Sequence, residues 1–156
     1  MNSEDNHLES HAMTDEITDA DMSLSSGIAA FEAKHFSRSS QLLSPLAEQG
    51  EAEAQYRMAI MQQNGLGMVA NEMQAYKNMK AAAEQGLALA QHGLGFMYLE
   101  GECVDKNPAK AAEWFTRAAE QGLAGSQTTL AMMYEQGNGV EKDLEAAQKW
   151  YKLAGF

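Results

Sequence analysis

The chain has 156 residues, 45% of them apolar, with two prolines, one cysteine and a formal net charge of −11. It contains no apolar run of about 18 residues that would cross a bilayer. No basic patch is present to meet a phosphate backbone or an anionic membrane surface, and a single cysteine permits no internal disulfide.

Residues 1–26 hold seven acids (Glu4, Asp5, Glu9, Asp15, Glu16, Asp19 and Asp21) and no Lys or Arg. The rest of the chain carries 15 acids against 11 bases. Acidic, polar composition without hydrophobic periodicity predicts a disordered tail over 1–22. Its role is either to keep the chain soluble or to dock on a basic patch of a partner and speed association. His7 and His11 stand four apart, a spacing that shares a metal only on a helix face, so in a disordered tail no metal site is expected. Asp19 and Asp21 lack the following Gly and distal Glu of a calcium loop. The N-terminus shows no basic stretch followed by an apolar core, so it is not a secretory signal. The expected compartment is the cytoplasm, with an export signal already removed as the alternative.

Residues 23–50 read as a divergent first unit: a short leading helix, GIAAFEAKHF at 27–36, and a second helix around Ser39–Gln49 in which Pro45 is an awkward interior residue that favours a kink. From there the chain repeats. The tetrapeptide AEQG stands at 47–50, 83–86 and 119–122, each copy 36 residues after the last, and Met61, Met97 and Met133 keep the same step. A fixed period of this length marks a solenoid of stacked helical hairpins. The units are 51–86, 87–122 and 123–156, the last ending differently as a terminal repeat does, and 23–156 forms one solenoid domain.

Each unit opens with a helix; in 87–122, Ala90, Leu94, Met97 and Tyr98 recur at helical spacing. Gly65, Gly101 and Gly137 end these helices, since glycine accepts the positive φ of a helix stop. Asn71, Asn107 and Asp143 cap the second helix, helped by Pro108 at the first helical position. Ala75, Ala82, Ala111, Ala118, Ala147 and Ala154 are the small residues where helices approach closely, with Trp114, Phe115, Trp150 and Tyr151 supplying bulk. Gly50, Gly86 and Gly122 turn the chain into the next unit. Met61, Met97 and Met133 are core fillers, and Met68, Met73 and Met79 are further candidates for the core. The expected fold is all-α: a right-handed superhelix of about seven helices, each antiparallel to its neighbour in sequence.

The pattern AxAQxxLGxMYxxGxxVxxxxxKAAEWFxRAAEQG resembles the Sel1-like repeat, a relative of the tetratricopeptide repeat. Residues 87–122 match it best, and 123–156 follow through LAMMYEQGNGVEKDLEAAQKWYKLA. Residues 51–86 depart from it, with Gln62 in place of the usual Tyr and Asn78 in place of the usual Trp, which weakens the packing argument for that unit. The resemblance implies an adaptor or scaffold that assembles complexes, many of them bacterial. A cysteine-rich branch of the family is linked to penicillin binding or β-lactamase activity. This chain has neither its paired cysteines nor the S-x-x-K nucleophile arrangement, so that link is not carried over.

By the same resemblance, the first helix of each unit lines the concave face. Three columns fall there: Ile60, Phe96 and Met132; Tyr56, His92 and Thr128; Gln63, Leu99 and Glu135. These slots change identity from unit to unit while the Leu-Gly-Tyr columns beside them stay nearly uniform. Variation suits recognition and uniformity suits packing. The expected site is a shallow groove with an apolar floor of Tyr56, Ile60, Phe96 and Met132, holding an extended or helical segment of another protein. The competing reading packs Ile60, Phe96 and Met132 between neighbouring first helices. His92 would bond a partner or sense pH, or be simply exposed. His35 is an exposed or packed residue of the partial unit.

No catalytic set and no cofactor site is expected. Glu100, Glu102 and Asp105 flank Cys103, which opposes thiolate formation, and the loop glycines do not form a GxxxxGK[ST] phosphate cradle. The leading expectation is therefore a non-catalytic interaction module, as scaffold, adaptor or immunity-type regulator of one partner, and monomeric. The alternatives are a hydrolase of cell-wall-related substrates, for which no nucleophile with a base is visible, and a structural solenoid whose exposed ends stack on one another.

Overall fold

A computed structural model of the chain describes residues 18–156; residues 1–17, with His7, His11 and most of the expected acidic tail, lie outside that range. Eight helices run in order among the described residues: α1 (Asp19–Glu32), α2 (Phe36–Glu48), α3 (Ala52–Asn64), α4 (Glu72–Glu84), α5 (Ala88–Glu100), α6 (Pro108–Glu120), α7 (Ala124–Gln136) and α8 (Leu144–Leu153). Consecutive helices pack as pairs, and each pair packs on the next, giving an all-helical solenoid. The count is eight where about seven were expected.

The first pair departs most from expectation. The leading helix starts at Asp19, inside the stretch read as tail, and stops at Glu32. The Thr18 side chain accepts a bond from the Asp21 N–H, and Asp19 and Asp21 sit in the positive first turn. Only Gly27 and Ala30 of this helix are buried, so its apolar stripe is too thin to show as a period in the sequence. Lys34 turns the chain at φ 63°. Helix α2 runs on through Pro45 to Glu48. Gln41 and Pro45 are both exposed, so water can reach the carbonyl that Pro45 leaves without a partner.

The three following units repeat one set of local rules. Gly65, Gly101 and Gly137 end α3, α5 and α7 at φ 64°, 70° and 65°, and their N–H groups donate to the carbonyls of Met61, Met97 and Met133. Asn71, Asn107 and Asp143 cap α4, α6 and α8 by accepting from the N–H groups of Gln74, Lys110 and Ala146. Both helices of each pair bury small residues: Ala59 and Ala75, Gly95 and Ala111, Ala131 and Ala147. At Gly95 an added Cβ would lie 2.8 Å from the Phe115 ring, so glycine is what admits that ring.

The core is a continuous stack, with Met79, Leu94, Met97, Phe115, Leu130 and Met133 buried in it; truncating such a side chain to Ala costs about 2–5 kcal/mol. A second cluster around Leu43, Met58 and Met61 joins the first pair to it. Of the undecided methionines, Met79 is core, Met68 packs partly against the second cluster, and Met73 is 68% exposed. Ala154, expected at a close helix approach, is instead the half-buried cap of α8.

Candidate functional site

Glutamines tie each pair to the one before it. Gln55, Gln91 and Gln127 stand in the first turn of α3, α5 and α7, are buried, and donate through Nε2 to the carbonyls of Ala47, Ala83 and Ala119. The Gln of AEQG completes the link. Gln85 donates to Oε1 of Gln55 at 2.8 Å, and Gln121 donates to Oε1 of Gln91 at 2.9 Å. Buried amides need such partners, because an unpaired one costs about 1–3 kcal/mol. These bonds set how each first helix seats on the preceding unit, and so position the face that α3, α5 and α7 share.

On that face the nine expected residues separate by burial. Met132 (44% exposed) and Glu135 are open to solvent; Tyr56, Ile60, Gln63, His92, Phe96, Leu99 and Thr128 are half-buried. Phe96 lies edge-on to the fully buried Phe115 at 5.0 Å between ring centres, and His92 lies edge-on to both, 4.9 Å from Phe96 and 5.5 Å from Phe115. The middle of the column therefore rests on the core while keeping part of its surface free. Gln63 donates through Nε2 to Glu102 at 2.8 Å, linking the end of α3 to the loop after α5.

His92 is more engaged than simple exposure would make it. Its Nδ1 is 2.7 Å from Oγ of Ser126, which is fully buried in the slot that holds Ala54 and Ala90 in the other units. The hydroxyl needs a partner there, and the neighbouring first helix supplies it. Gly125 borders the imidazole, and an added Cβ there would reach it at 3.4 Å, an ordinary van der Waals contact. Burial holds the imidazole below its ordinary pKa, favouring the neutral ring. Arg57 is likewise committed: it bonds Glu53 and lies over the rings of Phe31 and Tyr56, 5.9 and 5.8 Å from their centres.

Leu89, absent from the expected columns, is 43% exposed on the same stripe as His92 and Phe96, one turn earlier in α5. Its slot holds Glu53 and Gly125 in the other units, so variation between copies was a usable signal for it.

Elsewhere the surface has shallow depressions, one between α1 and α2 beside Ser26, His35 and Arg38, another by Tyr134, Lys142 and Asp143. His35 is exposed and caps α2 without a side-chain bond. Among the described residues no group of three His, Cys, Asp or Glu side chains could hold a metal ion, and no helix is long and apolar enough to cross a membrane. Cys103 is half-buried, and burial with Glu72 and Glu102 nearby pushes its thiol pKa up, away from the reactive thiolate.

The family model described as Sel1 repeat matches residues 52–87, 88–123 and 124–155, more than half of the chain. Among solved structures, a Sel1 repeat protein from Oxalobacter formigenes is 31% identical with a TM-score of 0.81, covering 85% of this chain and 53% of that one. A protective antigen present in uropathogenic Escherichia coli strains, displaying an SLR fold, is 33% identical with a TM-score of 0.81, covering 96% of this chain and 32% of that one. The chain thus spans about half the length of the first and a third of the second. No curated protein sequence matches it.

Proposed function

Since the chain belongs to the Sel1 repeat family, whose fold is generally a scaffold that binds other proteins, we propose that it is a non-catalytic module gripping a segment of a partner protein on the face of α3, α5 and α7. In this role it serves as adaptor or as regulator of one partner, an immunity-type inhibitor being one form of the latter. The observation that carries the reading is a stripe of partly open apolar side chains, Leu89, Phe96, Leu99 and Met132 among them, that differs from unit to unit on a framework whose helix-ending glycines and glutamine-to-carbonyl links do not. Open apolar surface of this kind marks interaction sites more often than chance exposure does.

Met132→Asp tests the reading more cleanly than a change at Phe96, because Phe96 also rests on Phe115. Capture from the native cell followed by mass spectrometry should identify a partner that the variant loses by tenfold or more while its unfolding midpoint stays unchanged, as for an interface anchor worth about 1.4 kcal/mol. A partner retained at full affinity by both Met132→Asp and Leu89→Asp places binding elsewhere.

A further inference from the structure

Charge is not spread evenly between the two layers of the solenoid. Helices α4, α6 and α8 carry Lys77, Lys80, Lys110, Arg117, Lys149 and Lys152 against the acids Glu72, Glu84, Glu113, Glu120 and Glu145. Helices α3, α5 and α7 carry no lysine at all; their acids are Glu53, Glu100 and Glu135, and their one base is Arg57. Arg57 is spent on Glu53 and on the rings of Phe31 and Tyr56, so its charge is not offered outward. Glu102 adds to the acidic edge at the end of α5, while the loop bases Lys106 and Lys142 lie against Gly101 and Gly137 where α5 and α7 end. A face with an apolar floor, acidic margins and no free Lys or Arg on its own helices favours one sign of partner over the other.

Resting on the proposal that this face binds a protein segment, we infer that the segment is basic: a short stretch with aliphatic or aromatic anchors flanked by Lys or Arg. The anchors lie along Leu89, Phe96 and Met132. The flanking cations meet Glu100 and Glu135, both exposed and without an ion-pair partner among the described residues. An acidic segment of equal apolar content would bring its carboxylates against these groups with no lysine on α3, α5 or α7 to answer them. Nucleic acid and anionic lipid are disfavoured by the same charge.

Selection from a displayed random library of peptides about 12 residues long tests this, using the full chain as target and the Leu89→Asp/Met132→Asp variant for counter-selection. Peptides that need the face should be enriched in Lys and Arg together with apolar residues. Their affinity should fall about tenfold in Glu100→Gln/Glu135→Gln and weaken as salt rises. Face-dependent peptides that are neutral or acidic, or that ignore the Glu→Gln changes, overturn the basic-segment inference and leave the face standing. Peptides that bind the counter-selection variant equally well, or a library that yields no face-dependent binder, count against the face itself.

Discussion

Asn78 donates through Nδ2 to Oε1 of the buried Gln62 at 2.8 Å, joining α4 to α3 at the two positions where this unit differs from its successors. The same slots hold Tyr98 with Trp114, and Tyr134 with Trp150. Where the later units carry two aromatic residues, this one carries two amides that bond one another. The departure that looked like weakened packing carries a hydrogen bond between the two helices of its own pair.

A double-mutant cycle checks that the two amides act together. Asn78→Ala leaves the Gln62 oxygen buried without its partner and should cost about 1–2 kcal/mol in urea unfolding. Gln62→Tyr and Asn78→Trp should each destabilise alone and compensate when combined. Strictly additive effects would show that the bond contributes no coupling.

The glutamine links should matter more than their solvent-near positions in the sequence suggest. Gln91→Met keeps the volume but removes one bond from the Ala83 carbonyl, which keeps the Gly86 N–H, and one from the Gln121 amide, which keeps the Gly86 carbonyl. The expected loss is about 1–3 kcal/mol. Gln121→Met should cost less, since its slot is exposed and Gln91 keeps its bond to Ala83. Equal effects at both positions would deny the chain of bonds its direction.

The loop after each first helix has one more left-handed slot, Gly67 at φ 69°, Cys103 at φ 63° and Gly139 at φ 73°. Cys103→Gly should raise stability by about 1 kcal/mol, because a side chain in that conformation costs of that order. Gly139→Ala should lower it by about 2 kcal/mol or more, since the added Cβ falls in hard contact with the Pro108 carbonyl. Thermal melts of both variants decide the matter, and a destabilised Cys103→Gly would assign the thiol a packing role larger than its strain.

Tyr98 and Tyr76 share a hydrogen bond of 2.7 Å between their hydroxyls, linking α5 to α4. Burial first, then that bond and the neighbouring Tyr76 and Glu84, push the Tyr98 pKa up to about 12. The unfolded phenol ionises near 10, so the folded state holds its proton longer. Stability from this group is complete below about pH 10 and is lost as pH rises through 12, by about 2–3 kcal/mol. Tyr98→Phe should flatten that alkaline loss; an unchanged pH profile would show that Tyr98 ionises without penalty.

Much of the solenoid was legible in the chain because its rules are local. Gly101 stops α5, Asn107 caps α6 and Pro108 opens it through contacts within a few residues, and the copies at a step of 36 repeat the statement. Helix α1 was misread at its start because it buries so little that no period marks it, leaving the acids Asp19 and Asp21 to suggest a tail. Of the candidate face, the variable columns were visible by comparing copies, but their degree of exposure was not.

What the sequence determined by itself is the repeating helical pair, its caps and its turns, since these depend on neighbours along the chain. Only the tertiary structure decided that His92 bonds Ser126, that Gln121 serves Gln91, and that Phe96 leans on Phe115 while Met132 stays open. Each of these is a question of which side chains from other helices take up a polar atom or displace water. Burial and partnership are set by what stands opposite in space, and no spacing within one helix carries that information.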